Sequence, residues 1–365
     1  MAKGIYLGIE SISRKVKKMY LGIEGVARKV KKGYIGINGI ARLFFAGGAP
    51  VYAGETTPLP NANSWTAGAG IGNKAILIST STNSSEKAKA VVYDNDLAQT
   101  QAPDCINQTV WPYATATIGE TALFGSIMGW NGLASNYTWQ VDGYSKELTK
   151  VSVPDVKEAR AQGAATVVGP YAVFGGGVIG SDRNILNYAD AYDAELTHSN
   201  AAEQNVWGKY IAAAQAGEYG FFGTPKSVGV IDKDLTMHGY VSGGSGEQYC
   251  AAASTEKYAV FTGGGDYPYY KGAAAFDGDM TYTAAPDYPE IVYQHNGTNF
   301  SGYAIFAGGQ RTSPCVYYDD DLTLVQLEGL GIESMRCGVA ATGEVCVFGG
   351  GENAGSNKVV GYTLE

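Results

Sequence analysis

The sequence predicts an all-β chain built from about seven copies of one small sheet, on three observations. First, an apolar run ending in glycine recurs: YAVFGGGV from Tyr171, YAVFTGGG from Tyr258, YAIFAGGQ from Tyr303 and VCVFGGGE from Val345. Weaker copies are AILISTST from Ala75, TALFGSIM from Thr121 and YGFFGTPK from Tyr219. Aligned at Ile78, Phe124, Phe174, Phe222, Phe261, Phe306 and Phe348, they give a mean period of 45, the signature of a repeat architecture. Second, a later run ending in an aromatic–Asp pair recurs, as in VVYDNDL (91–97), DAYDAEL (190–196) and VYYDDDL (316–322), with QVDGYSKEL (140–148) a looser copy. Third, 51 glycines, 26 tyrosines and only 17% charged residues favour strands and tight turns over helices.

The order within a unit follows from these runs. Small-residue stretches such as ARAQGAATVVG (159–169) and QYCAAAST (248–255) suit an innermost strand, where units crowd together. The apolar run ending in Gly-Gly is the second strand and the aromatic–Asp run the third. A turn follows, because Asp hydrogen-bonds its own backbone, and an outer strand completes the sheet. Seven anchors imply seven blades of four strands around an axis, a β-propeller over 65–365. The last unit, VVGYTLE (359–365), stops after its third strand. Residues near 49–57, within a Gly- and Pro-rich connector spanning 47–64, are therefore expected to supply the missing one.

Residues 1–46 repeat with a period of 14: IYLGIESISRKVKK, MYLGIEGVARKVKK and GYIGINGIARLFFA. A helix would align Ile9, Ile12 and Val16 on one seam, but would bury Gly8, Gly22 and Gly36 in its interior at about 1 kcal/mol each. A hairpin per unit places Glu24-Gly25 or Asn38-Gly39 in a two-residue turn, and Asn-Gly is the strongest short hairpin signal. Strands are the favoured conformation. So short a unit buries little alone and needs a partner chain, the propeller body or self-association, which leaves a homo-oligomer through 1–46 as one of three expectations.

The second- and third-strand motifs, F-G-G and Y-D, resemble those of the Kelch-repeat propellers, over roughly 65–365. The units at Ile78, Phe124 and Phe222 depart from the pattern in lacking the double glycine. The 14-residue units resemble repeats in proteins of gut Firmicutes and their prophages, which implies a phage tail or particle component.

Several chemistries find no support. Walker loops need GK[ST] opening a helix, and none is present. Net charge is −9, divided between ten Lys/Arg against two Glu in residues 1–45 (+8) and sixteen against thirty-three in the remainder (−17). An acidic body argues against nucleic acid, and the RKVKK runs suit solvated strand edges that discourage aggregation. Five cysteines without a CxxC pair make zinc an unfavoured ligand. Cys337 and Cys346 can face each other across a hairpin, so a disulfide stays open beside the favoured reading of buried thiols. No metal or cofactor is expected. The sequence shows no secretory signal and no membrane-spanning run, which points to the cytoplasm or a phage-like particle.

His198, His238 and His295 are the only histidines and are expected at surface or turn positions in different blades. The loops after the second strands are richer. They hold Trp130, Asn131, Tyr137 and Trp139; Arg183, Asn187 and Tyr188; Tyr267, Tyr269 and Tyr270; and Arg311. Aromatics beside Asn and Arg suit a face that binds a glycan or a protein. The expectation is a non-enzymatic recognition protein. The alternative is a carbohydrate-active enzyme with its site in the central pocket, which needs only two suitably spaced carboxylates.

Overall fold

The computed structural model describes residues 6–9, 12–15, 19–23, 26–30, 32–37 and 40–46, and then 48–60, 66–79, 87–105, 114–125, 140–179, 184–185, 188–201, 210–265, 268–310, 314–331, 334–351 and 357–365. Every regular element among them is a strand. Seven four-stranded antiparallel sheets form a propeller. Six are consecutive meanders whose inner strands are Thr66–Ile71, Ala114–Ile118, Ala164–Val168, Ala212–Ala216, Ala251–Ser254 and His295–Phe300. The seventh joins Gly338–Ala341, Val345–Gly349 and Val359–Leu364 to Pro50–Thr56, which pairs antiparallel with Val359–Leu364. The 14-residue units are three separate antiparallel pairs: Tyr6–Ile9 with Ile12–Lys15, Met19–Ile23 with Val26–Val30, and Lys32–Ile37 with Ile40–Ala46.

One aromatic pair recurs between the second and third strands. Phe124–Tyr144, Phe174–Tyr192, Phe261–Phe276, Phe306–Tyr318 and Phe348–Tyr362 all meet edge to face, with centroids 5.8–5.9 Å apart. That geometry suits the ring quadrupole and fills the space between blades. The tyrosine hydroxyl then reaches the preceding blade, donating to the backbone just beyond its outer strand. Tyr144 bonds Pro103 O at 2.9 Å, Tyr192 bonds Pro154 O at 2.9 Å, Tyr318 bonds Pro286 O at 2.8 Å and Tyr362 bonds Glu328 O at 2.8 Å. Tyr93 closes the ring onto Thr57 O at 2.7 Å.

The Asp that follows makes the turn. Asp94 Oδ1 accepts from the N–H groups of Asp96 and Ala98, and Asp232, Asp277 and Asp319 repeat the arrangement. The fourth turn residue (Leu97, Leu148, Leu196, Leu235, Met280 or Leu322) is left-handed, with φ between 56° and 64°. The first-to-second and third-to-fourth strand turns share one face of the disc. The second-to-third strand loops and the blade-to-blade links share the other, here termed the loop face.

All five cysteines are free and buried. The ladder sets Ala341 opposite Cys346 and ends at Gly338–Gly349, so Cys337 does not face Cys346. Burial pushes the thiols of Cys105, Cys250, Cys315 and Cys337 up to about 12, and they stay protonated and unreactive at neutral pH.

Candidate functional site: a belt around the loop-face mouth

The glycines after the second strand let another segment lie on the backbone. A Cβ on Gly264 (φ +99°) would sit 2.3 Å from Glu247 O, and one on Gly177 (φ +93°) 2.4 Å from Ala161 O. Both contacts involve the stretch that leads into the same blade's inner strand. Gly265 N also bonds Gln248 O at 2.7 Å. The residue that follows each of these stretches is thereby fixed.

Those residues form a belt. Tyr210 N donates to Gln162 O (2.9 Å), Tyr249 N to Tyr210 O (2.9 Å), Gln294 N to Tyr249 O (2.8 Å), Arg336 N to Gln294 O (2.7 Å) and Thr66 N to Arg336 O (3.2 Å). The bonds step from blade to blade, from the third round to the first, at the loop-face end of the inner strands. Gln162, Tyr210, Tyr249, Gln294 and Arg336 all have φ between 53° and 64°. Left-handed backbone costs a non-glycine residue about 1–2 kcal/mol, and a strain repeated five times at one mouth marks a candidate site. Residues 64 and 112, at the corresponding positions of the first two blades, lie outside the described residues.

Neighbouring belt side chains interlock. Gln162 Nε2 donates to the Tyr210 hydroxyl at 2.7 Å, and the Tyr210 and Tyr249 rings stack with centroids 4.0 Å apart. Gln162 is 6% exposed and its Oε1 has no partner among the described residues. Beside the belt, Tyr269 and Tyr293 stack at 4.3 Å with planes 3° from parallel. Ile185 and Ile291, both 55% exposed, lie on the same face. The described inner strands carry no Asp or Glu. Some of their polar groups are spent between blades: Thr115 and Thr117 hydroxyls bond Gly68 O and Gly70 O, both at 2.8 Å.

Carboxylates are buried instead in the blade flanks. Asp190 (0% exposed) pairs with Arg160 (1% exposed), accepts from Lys157 N at 2.9 Å and meets His198 Nε2 at 2.6 Å. Arg160 Nη1 also bonds Phe174 O at 3.0 Å, tying the second strand to the link that carries Gln162. Asp142 likewise pairs with Lys150.

The sequence-derived site residues fall into two groups. Tyr269 and Tyr270 are half-buried on the loop face, and Tyr270 N bonds Gly264 O at 2.8 Å. Tyr188 is 5% exposed, lies under the cations of Lys157 and Arg160, and has its hydroxyl pKa raised by burial. Trp130, Asn131, Tyr137, Trp139, Arg183, Asn187, Tyr267 and Arg311 lie outside the described residues. One histidine corrects the surface expectation: His295 is 3% exposed on an inner strand, its Nε2 2.7 Å from Thr262 Oγ1. His198 opens the outer strand just after its turn, half-buried on Asp190. His238 is on the surface side, against Asp232 at 2.7 Å. The belt itself is absent from the sequence expectations.

Among solved structures the chain is similar to that of YjhT, with a TM-score of 0.59 and 12% identity over 75% of this chain and 99% of that one. At that identity the likeness shows the fold. With 685 solved chains matching, the fold alone selects no activity. No protein-family model and no curated protein matches the sequence.

Proposed function

We propose that this chain is a non-enzymatic recognition protein, a Kelch-like propeller whose loop-face mouth binds a glycan. The observation that carries this is the belt with its stacked tyrosines: rigid aromatic faces beside carboxamides suit sugar rings and their hydroxyls, at low cost in side-chain entropy. The neutral inner strands support binding over hydrolysis, because paired carboxylates are what a glycosidase requires. Exposed Ile185 and Ile291 extend the face for a protein bearing the glycan. The 14-residue repeats support a place in a phage-type particle, with residues 1–46 as the attachment element.

A glycan array probed with the wild-type chain and with Tyr210→Ala, Tyr269→Ala, Trp139→Ala and Arg183→Ala variants tests this. Binding to a defined set of glycans, weakened at least roughly tenfold by Tyr210→Ala or Tyr269→Ala, is the expected result. Turnover of a bound saccharide, abolished by one carboxylate substitution, would establish the enzymatic alternative instead.

A further inference from the structure

The turn face carries a regularity of its own. Three residues beyond the third-strand anchor, at Tyr93, Tyr144, Tyr192, Ile231, Phe276, Tyr318 and Tyr362, stand Asp96, Glu147, Glu195, Asp234, Asp279, Asp321 and Glu365. All seven are acidic and all seven are exposed. The turn does not need this. In Asp94, Asp232, Asp277 and Asp319 a different carboxylate, two positions earlier, caps the backbone. Lys146 and Lys233 approach Glu147 and Asp234 at 3.9 and 3.3 Å, but surface pairs of this kind contribute little. One carboxylate per blade, at the same radius, is an electrostatic ring.

The basic arm joins the propeller on the rim of that ring. Ala49 and Glu365 exchange both backbone hydrogen bonds, at 3.0 and 3.1 Å, and the Tyr303 hydroxyl holds Gly48 O at 2.9 Å. The last arm strand, Ile40–Ala46, ends two residues before Gly48. The arm carries ten Lys/Arg against two Glu, eight of them in the repeated RK-x-KK pattern of residues 14–18 and 28–32. So short a tether holds the arm at an effective concentration in the millimolar range beside the ring.

We infer that the seven-carboxylate ring is the docking surface for the chain's own basic 14-residue repeats. The pairing leaves the loop face, on the opposite side of the disc, unobstructed. It does not depend on what that face binds.

An amine-reactive bifunctional cross-linker applied to an equal mixture of ¹⁴N- and ¹⁵N-labelled full-length chains tests it. Mass spectrometry should show Lys15, Lys17, Lys29 and Lys31 joined to Lys146, Lys233 and Lys257 within single-isotope pairs. The yield should fall roughly tenfold in 1 M NaCl, where the Debye length is about 3 Å. It should fall similarly in a variant combining Asp96→Asn, Glu195→Gln, Asp279→Asn and Asp321→Asn, which leaves the capping carboxylates and every lysine in place. An unchanged melting curve confirms that this variant is folded. Mixed-isotope pairs would overturn the assignment in favour of a second copy's arm. Cross-links that are absent, or insensitive to both salt and the variant, would overturn the docking surface.

Discussion

The Tyr192 hydroxyl donates to Pro154 O at 2.9 Å across the boundary between the third and second blades. Five of the seven blades hold their predecessor this way, while Ile231 and Phe276 stand at the same position in the fourth and fifth. Tyr192→Phe keeps the ring against Phe174 and removes only the hydroxyl, leaving a backbone carbonyl without its donor. The expected loss is about 1–2 kcal/mol, read from the urea midpoint at unchanged slope. Tyr192→Ala, which also empties the space beside Phe174, should cost about 3–5 kcal/mol.

Asp190→Asn should cost more than the hydroxyl. Arg160 is 1% exposed and would keep its charge inside the blade flank without a counter-ion. Removing one partner of such a pair costs about 3–5 kcal/mol. Asp142→Asn should cost less, because Lys150 is 28% exposed and its ammonium can turn to water. Calorimetry of the two variants side by side gives the order.

Glycine has two separable uses. Gly72 (φ +57°) has open space where a Cβ would go, so Gly72→Ala should cost only the left-handed strain, about 1–2 kcal/mol. Gly264→Ala adds a clash with Glu247 O and should cost on the order of 3 kcal/mol. By moving the stretch that leads to Tyr249, it should also weaken glycan binding.

His295 supplies a pH signature. Burial depresses its pKa to about 3, against 6.5 for the ordinary group. The folded chain thus holds the ring neutral, while the unfolded chain takes up a proton below pH 6.5. Stability is unaffected by this group above pH 6.5. It falls as pH drops from 6.5 toward 3, by about 1.4 kcal/mol per unit and about 2 kcal/mol at pH 5. His295→Gln should flatten that part of the stability–pH curve, which denaturant titrations from pH 7.5 to 4.5 would reveal.

The repeat period and the Asp turns were legible because each rests on residue type. Phe174 and Asp94 are chosen by chemistry that a sequence displays: an apolar ring for the core, a short carboxylate for a turn. The belt was not, because what repeats there is backbone conformation. Gln162, Tyr210, Gln294 and Arg336 share a φ near 60° and no side-chain property. The one signal was a large residue just ahead of each small-residue run. The Asp190–Arg160 pair was hidden for another reason: its partners lie 30 residues apart, on a strand and a link that only the folded blade brings together.

The pairing of Pro50–Thr56 with Val359–Leu364 has a consequence for biogenesis. The outermost strand of the seventh blade leaves the ribosome ahead of every other propeller strand, and its mate leaves after them all. A nascent propeller therefore carries an unmatched edge throughout translation, the kind of surface on which partly made chains aggregate. Six blades can mature in sequence as they emerge. Circularisation waits for Val359–Leu364, so a product stalled or truncated before that strand would persist as an open arc that chaperones and proteases can recognise.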